Sequence, residues 1–108
     1  MTIDPQKYID FVRQTTSQES LDWPTLSSRL THLEMHDEAN VTQLLTAALG
    51  ISAEAGEFTE VVKKIFLQGK PYTEENVFHM KRELGDIMWY VAQACMALDI
   101  SFDEILEM

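Results

Sequence analysis

The sequence predicts an all-α protein: a four-helix bundle-like core followed by a short C-terminal helix. Three observations carry this. Apolar residues recur at three- and four-residue spacing and nowhere alternate as strands require. Helix starts and stops are written in Asp4-Pro5, Asp22-Trp23-Pro24, Gly69-Lys70-Pro71 and Thr73. The chain of 108 residues has no linker or internal repeat, so 1–108 reads as a single domain around one core. At 45% hydrophobic residues it is globular, and not a disordered acidic tail, despite a net charge of −10.

The elements follow in order. Asp4 is an N-cap with Pro5 at the first helical position, and Tyr8, Phe11 and Val12 give that helix a narrow apolar stripe until the polar run Thr15 to Glu19 ends it. Asp22-Trp23-Pro24 opens a second helix bearing Leu26, Leu30 and Leu33, which fades between Glu34 and Asn40. The third and longest runs from about Val41 to Gln68, with Gly50 as a bend near its middle and Gly69 and Pro71 as its stop. Thr73 caps the fourth, whose first turn holds Glu74 and Glu75 and which ends near Leu98. From Ile87 to Leu98 it is apolar almost all round, the mark of a helix buried on every side. Ser101-x-x-Glu104 reads as a capping box for the last helix, with Ile100 and Ile105 as a hydrophobic staple.

The chemistry concentrates between Gly50 and Asp86. Glu54-x-x-Glu57 and Glu83-x-x-Asp86 stand either side of the Gly69-Lys70-Pro71 break. Each i, i+3 pair points two carboxylates to one side of a helix. Glu57 and Glu83 are equidistant from Lys70, and so are Glu54 and Asp86. A hairpin with Lys70 at its tip would bring all four acids to one height. Glu54 shares its face with Ala47, Gly50, Ile51, Phe58, Val61 and Ile65, while Glu83 and Asp86 border Ile87, Tyr90 and Ala94. Carboxylates facing a core are costly unless positive charge neutralises them. A divalent cation would supply it.

Composition narrows the options. The acidic charge argues against nucleic acid and against anionic membranes as partners. Cys95 is the single cysteine, which excludes an internal disulfide and a cysteine zinc site. No stretch approaches the ~20 apolar residues that span a bilayer, and the first ten residues lack a signal-peptide pattern; a cytoplasmic location is expected. His32 and His36 are spaced as metal ligands but sit on a polar, surface-like segment. His32, His36 and His79 are preceded three residues earlier by Arg29, Leu33 and Asn76, so the Glu-x-x-His pairs of a di-iron bundle are missing. Oxygen-only ligands suit Mg²⁺, with Mn²⁺ as a substitute, and point to phosphoryl chemistry.

Glu-x-x-Glu followed by Glu-x-x-Asp, in the frames GISAEAGEFTEVVKK and KRELGDIMWYV, resembles the MazG family of all-α nucleoside triphosphate pyrophosphohydrolases. The likeness covers about Leu44 to Leu106 and is strongest to small stand-alone forms of bacteriophages, cyanophages in particular. It implies Mg²⁺-dependent cleavage of an NTP or dNTP to monophosphate and pyrophosphate in the host cytoplasm. It also implies Glu54, Glu57, Glu83 and Asp86 as metal ligands. Glu54 or Glu57 would serve as the base for the attacking water. Lys63, Lys64, Lys70, Lys81 and Arg82 are the cations available to a triphosphate, with Lys63 and Arg82 facing away from the acids so that each reaches only a neighbouring subunit's site. Tyr90 would stack on or hydrogen-bond to the nucleotide, or else serve as a core aromatic. The apolar surplus of the fourth helix predicts a homodimer, and the family pattern extends this to a homotetramer. Two competing readings are an acidic helical interaction module and a divalent-cation-binding bundle without catalysis.

Overall fold

The computed structural model describes residues 2–108. Among them lie six helices and no strand: α1 (Pro5–Gln14), α2 (Gln18–Leu21), α3 (Trp23–His36), α4 (Val41–Leu67), α5 (Glu74–Leu98) and α6 (Phe102–Glu107). The chain is therefore all-α. It divides into two compact units, one reaching to Glu38 and the other running from Ala39 to Met108.

Helix starts follow the capping residues. Asp4 accepts the amides of Gln6 and Lys7, and Asp22 accepts that of Thr25 at 2.8 Å. Asn40 does the same for Gln43, Thr73 for Asn76 and Ser101 for Glu104. The polar run expected to end α1 also holds a single extra turn, α2, packed against α3 in the first unit.

The second unit is built on an antiparallel hairpin of α4 and α5. α4 ends where Gly69 takes φ +76°, a left-handed conformation that glycine adopts without cost. α5 ends on Asp99, also left-handed, where the amides of Asp99 and Ile100 return to the carbonyls of Met96 and Cys95.

Between the two long helices, Ala47, Val61 and Cys95 are buried. α4 continues through Gly50 as one helix, and packing explains that glycine. A Cβ there would lie 2.0 Å from Cδ1 of Tyr90, so the tyrosine ring lies directly on the α4 backbone. Gly50 and Tyr90 each stand twenty residues from Lys70 (70 − 50 and 90 − 70), so the mirror about Lys70 holds at that level. Farther along Gln43 reaches Gln93 at 2.9 Å, a pair 27 and 23 residues from Lys70, so the register has drifted there. The expectation that α5 is buried on every side does not hold within one chain. Met88, Trp89 and Met96 are 49%, 58% and 65% exposed, because α4 covers only one side of the helix.

Candidate metal centre

Three of the four predicted acids meet. Oxygens of Glu54, Glu57 and Glu83 all lie within 4.8 Å of one another. Glu54 and Glu57 are one turn apart on α4, and Glu83 crosses from α5. The burial is graded: Glu57 is exposed, Glu54 half-buried, and Glu83 only 4% exposed. The fourth acid, Asp86, is half-buried one turn along α5 and lines a groove with Glu54, Trp89 and Tyr90. Glu54 thus belongs to both the cluster and this groove.

The electrostatics are those of crowded carboxylates. Oε2 of Glu54 and Oε2 of Glu83 are both buried with no hydrogen-bond donor. Hydrogen bonding to Glu83, burial and the nearby Glu57 together push Glu54 up to about 7. Glu83 moves the opposite way, held below the usual carboxylate range first by its hydrogen bond with Glu54, then by Glu57 and His79. Crowding thus raises the proton affinity of Glu54 and lowers that of Glu83.

His79 escaped sequence reasoning. It lies one turn before Glu83 on α5, with Nε2 3.1 Å from Oε1 of that glutamate. The signal was present as an i, i+4 spacing to Glu83, a different offset from the Glu-x-x-His pattern of di-iron bundles.

The cations fall into three groups. Lys64, Lys70 and Arg82 line the groove of about 360 Å³ that also holds Glu57, His79 and Glu83. For Arg82 this corrects the expectation that it faces away: it stands three residues after His79, and so on the same side of α5. Lys63 pairs at 3.2 Å with Glu60, which lines that groove as well and also lies 3.9 Å from Lys64. Lys81 lines a separate groove with Tyr72 and Phe78. Tyr90, half-buried, packs edge-on to Trp89 with ring centroids 5.0 Å apart, and it reaches the groove of Glu54 and Asp86. His32 and His36 are exposed on α3 with ring centroids 4.6 Å apart. Among the described residues they gather no third ligand.

The donor set fits a hard divalent cation. It offers oxygen alone, and two of its buried oxygens have no other partner. Among the described residues no helix is long and apolar enough to cross a membrane.

The chain is 43% identical over 63 residues to the Gene 37 protein of Mycobacterium phage L5, a stretch covering 56% of this chain and 54% of the relative. It thus spans about half the length of that curated relative. No solved structure matches. The family model of the MazG nucleotide pyrophosphohydrolase domain matches residues 42–108, which include all of α5, all of α4 but its first residue, and all four acids. The chain belongs to the MazG nucleotide pyrophosphohydrolase family.

Proposed function

We propose that the protein is a Mg²⁺-dependent nucleoside triphosphate pyrophosphohydrolase, converting an NTP or dNTP to the monophosphate and pyrophosphate. The observation that carries this reading is the convergence of Glu54, Glu57 and Glu83, with two buried carboxylate oxygens left without a donor. An interaction module would have no use for that costly arrangement. Family membership supports the reaction class.

Glu54, Glu57 and Glu83 are the proposed metal ligands, joined by Asp86 across Glu54. Mg²⁺ when bound, or Mn²⁺ in its place, would neutralise phosphate charge and polarise the bond under attack. The chain's own residues do the remainder. Lys64, Lys70 and Arg82, along the groove of Glu57 and Glu83, are placed to hold the triphosphate. Tyr90 and Trp89, beside Glu54 and Asp86, offer an aromatic wall to the nucleoside. The water's oxygen attacks the α-phosphorus, and the α–β P–O bond breaks with its electrons leaving on pyrophosphate. The water's proton passes to a carboxylate of α4. That base is one of Glu54, whose proton affinity lies near neutrality, and Glu57, which faces solvent. Lys63 and Lys81 lie outside this arrangement and would take part only across a subunit boundary.

We read residues 1–108 as one functional domain, acting as a homodimer or homotetramer in the cytoplasm of the host cell. Pyrophosphate release from a panel of NTPs and dNTPs, with Mg²⁺ and with EDTA, tests the function. Release with Mg²⁺ and none with EDTA is expected. No release from any nucleotide would return the protein to the class of cation-binding or interaction bundles.

A further inference from the structure

We infer that His79 is a positioning residue for the metal centre: its Nε2–H holds Oε1 of Glu83 and thereby aims the other oxygen, Oε2, at Glu54 and Glu57. This rests on the metal reading proposed above.

The geometry begins with Glu83. It is the most buried acid of the cluster, at 4% exposed, and its two oxygens have different surroundings. Oε1 has His79 at 3.1 Å, whereas Oε2 is buried without a donor. A glutamate side chain has three rotatable bonds and several low-energy conformations. Fixing one oxygen from a residue on the same helix selects among them. In this contact the carboxylate Oε1 is the acceptor, so the ring takes the tautomer that carries its hydrogen on Nε2. The imidazole side chain is 39% exposed and lines the groove of Arg82 and Lys70, so it is supported from the open side of the cluster.

An ordinary surface pair at i, i+4 looks different. There both partners are solvated, either oxygen serves, and the bond is weak. Here the carboxylate is buried and its free oxygen has one direction in which to find a positive partner. Orientation of a ligand by a hydrogen bond from behind is what metal centres commonly require, and losing such a partner typically costs about 10- to 100-fold in metal affinity.

The test is Mn²⁺ binding without nucleotide, followed by the electron paramagnetic resonance of the free ion, on wild type, His79→Ala and His79→Gln. The glutamine amide nitrogen stands as many bonds from Cα as Nε2 does, so it donates to the same oxygen. Alanine should weaken Mn²⁺ binding about 10-fold or more. Glutamine should restore most of that loss, with helical circular dichroism unchanged in both. Equal binding by wild type and His79→Ala would overturn the positioning role while leaving the metal reading intact. Equal weakening by alanine and glutamine would also overturn it, since the hydrogen bond would then not be the cause. No Mn²⁺ binding by the wild-type protein would overturn the metal reading and this inference together.

Discussion

Replacing Gly50 with alanine isolates the packing of α4 on α5. The added Cβ would stand 2.0, 2.2 and 2.4 Å from Cδ1, Cε1 and Cγ of Tyr90. Ordinary carbon contacts begin near ~3.5 Å, so the ring and the helix must separate by about 1.5 Å. A tyrosine ring is flat and stiff, and the α4 backbone is tied by its own hydrogen bonds. The strain therefore has to part the helices or swing the ring toward Glu54 and Asp86. Overpacking of this kind costs about 1–3 kcal/mol, against which alanine gains about 1 kcal/mol over glycine in a helix interior. Gly56 supplies the control, because it is exposed on the same helix and a Cβ there meets nothing within 4 Å. In the difference between Gly50→Ala and Gly56→Ala the helix-propensity gain cancels, leaving about 1–3 kcal/mol of strain. Urea unfolding of the metal-free protein at fixed concentration measures it. In a Tyr90→Ala background Gly50→Ala should become stabilising, as Gly56→Ala is. Equal stability of the two single alanine variants would refute the contact.

Three further outcomes follow from the same hairpin. With the folded-state value of Glu54 raised from 4.5 to about 7, the native protein holds a proton that the unfolded chain has released. Metal-free stability should therefore fall as pH rises from about 4.5 to about 7, and Glu54→Gln should flatten that slope in thermal melts run in EDTA; a slope of the opposite sign would refute the raised proton affinity of Glu54. Glu57→Gln and Asp86→Asn should each abolish pyrophosphate release while the melting temperature without metal holds or rises, because a repelling charge is removed; near-wild-type turnover in either would show that residue to be no ligand. Light scattering at micromolar concentration should give two or four times the chain mass of 12.4 kDa, with Trp89 fluorescence shielded; a monomer with a wet Trp89 would leave the exposed side of α5 unexplained.

How much of this was legible in the sequence depended on whether the signal was local. Helix starts were, because a cap is a side chain bonding an amide two or three residues away. Thr73 to Asn76 and Asp22 to Thr25 are such bonds. The meeting of Glu57 with Glu83 was legible for a rarer reason: an antiparallel hairpin turns distance from its tip into spatial register. α2 was not legible, since four residues hold barely one turn and Ser17 makes no side-chain capping bond. Arg82 was not legible as a groove residue, because the groove also takes in His79, three residues before it on the same side of α5. The role of Gly50 was out of reach as well. A glycine that bends a helix and one that admits a tyrosine ring look the same until the partner helix is in place.

Every acid of the candidate centre, together with His79, Arg82 and the turn that pairs them, lies in one unbroken stretch from Glu54 to Asp86. Many metal centres collect ligands from distant parts of a chain, so a genetic crossover inside the gene can separate them. Here an exchange falling anywhere outside that stretch passes the whole set on together. The boundary between the compact units, at Glu38 and Ala39, is one such point. Residues ahead of it supply none of the carboxylates, which descend as one heritable piece.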